Sequence, residues 1–83
     1  MSYEKVAQAK KVIIGTKQTA KAIKNNRALE VVVASDADSR VVEAVIQEAK
    51  QSNVPITYVS SMKKLGKACG IDVGAAAVAI VNE

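Results

Sequence analysis

The 83-residue sequence predicts an α/β fold, a single-domain three-layer α/β/α sandwich with a four-stranded mixed sheet. Segments with helical spacing alternate with short runs rich in valine and isoleucine. These runs are apolar on both faces, which is typical of strands that helices cover on each side. A chain of this length hides roughly 60–65% of its unfolded surface, enough for one core and too little for a deep enclosed cavity as well.

The first half begins with a predicted helix, Ser2–Lys10, and a β-branched strand, Val12–Ile14. Gly15 ends that strand, and Thr16–Lys24 has helical spacing, with Thr16 as its candidate cap. Asn25 and Asn26 follow as the end of this helix.

A buried-type strand, Glu30–Ala34, comes next. Asp38 is the predicted N-cap of a third helix, whose inner positions are Val41, Val42, Val45, Ile46 and Ala49. Pro55 ends this segment, and Ile56–Val59 is the third strand. Nothing in the pattern fixes the order of the strands.

Ser61 can cap a fourth helix, Met62–Cys69, with Gly70 as its C′ residue, and Ala76–Val81 is the last strand. Three glycines recur at every fourth position, at 66, 70 and 74. We interpret them as a close helix packing, a helix cap and a loop.

The charges are unevenly distributed along a chain of net charge +4. Residues 1–29 have Glu4 as their one acid against seven basic residues: Lys5, Lys10, Lys11, Lys17, Lys21, Lys24 and Arg27. Residues 30–60 carry five acids: Glu30, Asp36, Asp38, Glu43 and Glu48. One positive and one negative face are therefore expected, and a positive face favours a polyanion partner or serves solubility alone.

Enzyme chemistry finds little support, because histidine is absent. Asp36 and Asp38 directly follow a strand. Two carboxylates at such a place could bind a metal, or Asp36 could form a turn and Asp38 could cap the next helix. Cys69 lies near a helix C-terminus, which disfavours a thiolate, and we predict that it belongs to the core. We expect a non-enzyme with no catalytic residues, no metal and no cofactor.

A single cysteine favours a reduced, cytoplasmic setting. We expect no secretory signal and no membrane span, since no apolar segment is long enough for either. Nothing indicates a dimer seam, so we expect a monomer.

The stretch Ile13–Lys24 carries the strongest functional signal. Gly15 permits an unusual backbone angle or a close approach. The free N–H groups of the helix start, together with the helix dipole, form an anion site. Lys17, Lys21 and Lys24 lie in one stripe on this helix. Such a helix suits phosphates and purine edges, although a solvated basic helix would look the same.

Three segments resemble one family, the kink-turn-binding ribosomal proteins related to archaeal L7Ae, in particular its bacterial YbxF-like members. They are G-T-K-Q-T-A-K-A-I (Gly15–Ile23), V-V-V-A-S-D-A-D (Val31–Asp38) and L-G-K-A-C-G-I-D-V-G-A-A-A-V-A-I (Leu65–Ile80). The resemblance implies an α/β/α sandwich that binds kink-turn RNA, a sharply bent duplex with an internal loop and tandem sheared G·A pairs.

The resemblance also implies which residues touch the RNA. The helix start would read the G·A pairs with Gly15, Thr16, Lys17, Gln18 and Lys21. The loop before the last strand would cover unpaired nucleotides, with Ile71 and Val73 as an exposed apolar pair beside Asp72 and Gly74. The resemblance adds Asp36, an acid near the same surface in the family. Two residues are added by their charge and not by the resemblance: Lys24 from the lysine stripe, and Lys64 as a phosphate contact on a helix that also carries Lys63 and Lys67.

One departure from the family stands at Lys17-Gln18, where archaeal members commonly have Asn-Glu. The change removes an acceptor for guanine N–H groups and adds charge, so we expect the same RNA motif with more electrostatic recognition. Ribosomal RNA, a riboswitch and RNase P RNA all fit this chemistry. The alternative function is a small adaptor that binds a ribosomal or other protein through its acidic face.

Overall fold

The computed structural model describes residues 2–81. Within them the helices are α1 (Ser2–Gln8), α2 (Thr16–Lys24), α3 (Ser39–Gln51) and α4 (Met62–Ala68). The strands are β1 (Val12–Ile14), β2 (Ala28–Ala34), β3 (Ile56–Val59) and β4 (Ala77–Val81). The predicted alternation of helices and strands is confirmed.

The strands form one mixed sheet in the order β1-β4-β2-β3. β4 is antiparallel to both β1 and β2, whereas β2 and β3 are parallel. The ends of β1, β2 and β3 and the start of β4 therefore lie at one edge of the sheet, which we call the upper edge. There the Gly15 N–H donates to Ala77 C=O at 3.0 Å, and the Ser35 N–H donates to Val59 C=O at 2.7 Å.

Helices cover both faces of the sheet, so the three-layer sandwich is confirmed. On one face Ile23 of α2 and Val45 of α3 pack with Val31 and Val33 of β2. On the other face the core includes Val6 of α1, Leu65 of α4, Val32 and Ala34 of β2, and Val78 of β4. Successive strand residues point to opposite faces, which is why this valine run is apolar throughout.

The predicted caps of α3 and α4 are confirmed. Asp38 accepts the Arg40 N–H at 2.9 Å, and the Ser61 hydroxyl accepts the Lys64 N–H at 3.2 Å. The Arg40 guanidinium, 3.0 Å from the Asp38 carboxylate, holds the pKa of Asp38 below its usual range. Asn26 ends α2 with a φ of 58°, in the left-handed conformation that asparagine tolerates.

Some boundaries and one inner position differ from the prediction. α1 ends at Gln8 rather than Lys10. β2 begins at Ala28, before the predicted Glu30, because Ala28 still pairs with Val81 of β4, across a shift in register at the exposed Leu29. Val41 was predicted to face the core but is 49% exposed, since α3 buries the adjacent stripe of Val42, Val45 and Ala49.

No helix within residues 2–81 is both long and apolar enough to cross a bilayer.

Candidate nucleic-acid interface

The first turn of α2 lies at the upper edge with its amides uncovered. Gly15 is the N-cap, with φ 106° and ψ 149°, and no side chain caps the helix. The first helical bond runs from the Thr19 N–H to Gly15 C=O at 2.8 Å. The N–H groups of residues 16–18 precede it and have no hydrogen-bond partner within the described chain. The prediction that Thr16 caps this helix was wrong, because Thr16 is already its first helical residue.

Thr19 fixes this turn to the sheet. It is the fully buried polar residue of α2, and its hydroxyl lies 3.5 Å from both Ile13 C=O and Ala77 C=O. Together with the Gly15 N–H, which also bonds to Ala77 C=O, it ties the helix start to β1 and β4. Sequence reasoning gave Thr19 no role, because a threonine inside a polar stretch carries no burial signal.

The predicted lysine stripe borders a groove between α2 and α3. Val41 and Ala44 of α3 line one side of this groove of about 620 Å³, and α2 supplies the other with Thr16, Lys17, Gln18, Ala20, Lys21 and Lys24. The Lys24 ammonium lies 3.7 Å from the Glu48 carboxylate, so this lysine is partly neutralised. Lys17 and Lys21 have no acid within salt-bridge distance among residues 2–81.

The loop Ile71–Gly74 is the second component of the upper edge, and α4 holds it in place. Gly70, with φ 82°, ends α4, and the Ile71 N–H donates to Gly66 C=O at 3.0 Å, as in a Schellman motif. A Cβ on Gly66 would lie 1.9 Å from Val73 O, so the loop backbone sits directly on the helix. The roles predicted for the three glycines are confirmed.

Only part of the predicted apolar pair in this loop is exposed. Val73 is 69% exposed, as expected. Ile71 was predicted to be exposed with it but is half-buried against the core, because the Schellman turn carries it back toward α4. Asp72 and Gly74 are exposed, and Gly74 passes close to Met62.

Asp36 serves the fold at the same edge. Its carboxylate accepts the Met62 N–H at 2.9 Å, at the start of α4. The Met62 C=O in turn accepts the Ala75 N–H at 3.0 Å, just after the loop. Asp36 thus links the end of β2 to the helix that supports Val73. Lys64 is exposed on α4 beside Lys63, with no acidic partner among residues 2–81.

This geometry agrees with the comparison to known proteins. Residues 2–83 match the ribosomal protein L7Ae/L30e/S12e/Gadd45 family. The chain belongs to this family. It is 63% identical over 82 residues to RNA-binding protein YbxF of Geobacillus stearothermophilus, covering 99% of this chain and 100% of that protein.

More distant proteins also match nearly the whole of this chain. An RNA-binding protein of Staphylococcus aureus (strain JH9) is 35% identical over 84 aligned positions, covering 99% of this chain and 100% of that protein. The solved Giardia lamblia 15.5kD RNA binding protein superposes with a TM-score of 0.84 at 25% identity, over 98% of this chain and 68% of that chain.

Within this family fold, the predicted site residues fall into three groups. The upper edge brings together the helix-start residues Gly15–Gln18, the loop 71–74 and Asp36. Lys21 lies one turn along α2, and Lys24 lies near the other end of the helix, about 12 Å from Thr16 at 1.5 Å per residue. Lys64 belongs to α4 on the opposite face of the sheet from α2.

The acids of the middle segment do not form one free negative face. Glu30 bonds to Lys5 and to the Thr57 hydroxyl, and Glu48 pairs with Lys24. Asp36 and Asp38 are the helix-capping groups described above, and Glu43 accepts a hydrogen bond from Gln47. Each acid therefore has a local partner, which weakens the case for an acidic docking face.

Cys69 is half-buried, and burial raises the pKa of its thiol. This favours the protonated, less nucleophilic form. No group of three or more acids and cysteines within residues 2–81 is arranged to hold a metal ion.

Proposed function

We propose that this protein binds RNA and recognises a kink-turn through its upper edge. The observation that carries the proposal is the meeting of two unlike surfaces there. The first turn of α2 offers bare amides and ammonium groups. The loop 71–74 offers the exposed apolar side chain of Val73. The relatives' names, which describe RNA-binding proteins, support an RNA partner.

The start of α2 supplies the polar contacts. Three free N–H groups and the helix dipole favour a phosphate or a purine acceptor. The Gln18 amide both donates and accepts, which suits a base edge. Lys21 stands one turn further along the exposed side of the helix and adds a charged donor.

A bent RNA with an internal loop fits this surface better than a regular duplex does. The major groove of A-form RNA is too narrow for side chains, so sequence is read where pairing is disturbed. Neither tyrosine of the chain lies at the start of α2, so bases cannot stack on an aromatic ring there. Tyr3 bonds through its hydroxyl to the Ser61 N–H beside α4, and Tyr58 lies on β3 at the far side of the sheet. The helix start would therefore meet the G·A edges, and Val73 would pack on an unpaired nucleotide.

Selection of the kinked form would be the whole of the activity. Free RNA of this kind samples extended and kinked shapes, and a protein that contacts only the kinked shape shifts the balance by its differential affinity. The surface is preformed, because hydrogen bonds fix the α2 start and α4 fixes the loop. Little binding energy is then spent on ordering the protein.

Lys17-Gln18 would make this recognition more electrostatic than an Asn-Glu pair does. Lys17 is exposed in the first turn of α2 and adds a donor for phosphates or purine acceptors. Lys64, with its neighbour Lys63 on α4, would contact backbone phosphates of the same RNA. Ribosomal RNA, a riboswitch and RNase P RNA remain the candidate targets.

Calorimetric titration with two RNAs tests this proposal. One carries a kink-turn, and in the other Watson–Crick pairs replace the tandem G·A pairs. We expect the replacement to weaken binding about 1,000-fold or more, from the lower end of the range that separates specific from non-specific complexes. Equal affinity for the two RNAs would reject kink-turn recognition. A cellular partner that survives nuclease treatment would instead favour the adaptor function.

A further inference from the structure

A second, smaller groove runs along the other side of α2, which we call the β1 flank. Its volume is about 160 Å³, and its lining residues are Ile13, Gln18, Lys21, Ala22, Asn25 and Arg27. Gln18 and Lys21 border both this groove and the one between α2 and α3. The β1 flank is therefore a continuation of the proposed reading site toward the far end of α2.

The two sides of α2 differ in charge. On the α3 side, the Glu48 carboxylate approaches the Lys24 ammonium, and Glu43 lies on the same helix. On the β1 flank, no acid occurs in the sequence between Glu4 and Glu30. The Glu30 carboxylate contacts Lys5 of α1, which covers the opposite face of the sheet. The β1 flank thus offers positive charge with no carboxylate nearby among the described residues.

The length and chemistry of the β1 flank fit a nucleic-acid backbone. Gln18 and Asn25 are seven residues apart on α2, about 10 Å at 1.5 Å per residue. A groove of that length can take a short run of phosphates from one strand of a duplex. Gln18, Asn25 and the two basic side chains can all donate to phosphate oxygens. No aromatic ring lines this groove, so stacked single-stranded bases are a poorer fit.

We infer that the β1 flank carries the phosphate backbone of a base-paired stem that leads away from the kink, with Arg27 as its outermost contact. This inference rests on the proposed function, because Gln18 and Lys21 must first engage the kink. It assigns a direction to the RNA: one stem runs along α2 over β1, away from the acids of α3. Lys24, partly neutralised by Glu48, makes a smaller contribution than Arg27 does.

The test combines protein variants with stem length. We would measure affinity as a function of salt for the wild type, Arg27→Ala and Lys24→Ala. Lys50→Ala is the matched control, since Lys50 is exposed on α3 with no acidic partner among residues 2–81. Three kink-turn RNAs are compared: one with both stems long, and two with either stem cut back to the kink. The fold is not at risk, because Arg27 is exposed and its backbone N–H bond to Ala22 C=O remains in the variant.

We expect Arg27→Ala to weaken binding of the long RNA and to reduce its salt slope by about one. This loss on Arg27→Ala should disappear with the RNA in which one of the two stems is cut back, and it should persist with the RNA in which the other stem is cut back. Lys24→Ala should change the slope less, and Lys50→Ala should not change it. An unchanged slope for Arg27→Ala, or the same loss with all three RNAs, would overturn the inference.

The same titrations separate this inference from the proposed function. Each includes the long RNA with Watson–Crick pairs in place of the G·A pairs. A wild-type preference for the kinked RNA with no effect of Arg27→Ala would reject the stem contact alone. If the wild type bound the kink-turn RNA and the Watson–Crick control equally well, kink-turn recognition would be rejected and the inference with it.

Discussion

The first turn of α2 and the loop Ile71–Gly74 lie on the same edge of the sheet but are held there in different ways. Hydrogen bonds from the Gly15 N–H and the Thr19 hydroxyl fix the turn of α2. The loop is also hydrogen-bonded to α4, through the Ile71 N–H and Gly66 C=O, but Val73 O can lie against α4 only because Gly66 has no side chain. The turn of α2 thus depends on hydrogen bonds to the sheet, whereas the loop depends in addition on a close backbone approach that any side chain at Gly66 would block. The two should therefore fail differently when mutated.

The largest effect is expected for Gly66→Ala. The new Cβ would lie 1.9 Å from Val73 O, so the loop must move. We expect the free energy of unfolding to fall by about 3 kcal/mol net, the upper end for overpacked cores, because displacing the loop backbone outweighs the gain of about 1 kcal/mol in helix propensity. Urea denaturation measures the net loss, and RNA affinity should fall with it. Gly74→Ala is the graded comparison, because its Cβ would be 3.3 Å from that of Met62. Wild-type stability for Gly66→Ala would contradict the proposed packing.

Gly15→Ala should damage the α2 turn without any clash. A Cβ at Gly15 meets open space, but φ 106° and ψ 149° lie in a region that other residues rarely adopt. Backbone strain of this kind costs about 1–3 kcal/mol. We expect a loss of about 2 kcal/mol in thermal or urea unfolding, the middle of that range. A variant as stable as the wild type would show that the turn does not need this backbone conformation.

Lys21→Ala should separate RNA reading from stability. Lys21 is exposed and has no acidic partner among residues 2–81, so unfolding should hardly change. Affinity for kink-turn RNA should fall by about 1–2 kcal/mol, the low end for a base contact. The loss should be smaller for the Watson–Crick control RNA, and calorimetry with both RNAs decides this. An equal loss with both would reduce Lys21 to a non-specific backbone contact.

Val73→Ser is the corresponding change in the loop. Because Val73 is 69% exposed, stability should stay near that of the wild type. Affinity should fall by about 1 kcal/mol, a part of the value of burying a valine side chain. The loss should appear with RNA that has unpaired nucleotides at the kink and disappear when they are deleted. Insensitivity to those nucleotides would remove the loop from the interface.

The smallest effect is expected for Lys64→Ala. Because Lys64 is a proposed phosphate contact, its removal should weaken binding about evenly across RNA sequences and reduce the salt slope by about one. Its backbone N–H bond to Ser61 is kept in the variant, so α4 remains capped. If Lys64→Ala instead changed sequence preference as Lys21→Ala does, the division between reading and backbone contacts would be wrong.

The start of α2 could be predicted from the sequence, but the contacts that hold it against the sheet and α3 could not. Helical spacing, glycine and lysines are local signals, so the start of α2 and its charge could be read directly. Thr19 and the Lys24–Glu48 pair depend on how α2 meets the sheet and α3, which local spacing does not encode. Val41 shows the same limit, since helical spacing places it next to the apolar stripe while in the structure it is exposed and lines the groove between α2 and α3.

The loop shows the complementary case. The spacing of the glycines at 66, 70 and 74 correctly predicted close packing, a cap and a loop. The burial of Ile71 could not be predicted, because the Schellman bond from Ile71 to Gly66 decides which way the chain turns. Asp36 likewise appeared as a surface acid, and only the position of the start of α4 explains its hydrogen bond to Met62.

The most direct test of the central claim is an NMR titration of the ¹⁵N-labelled protein with kink-turn RNA. We predict that the largest amide shifts fall on residues 15–18 at the start of α2 and on residues 71–74 of the loop. The exposed side of α3, around Glu43 and Gln47, should stay unchanged. Shifts concentrated on α3, with residues 15–18 unaffected, would contradict the account.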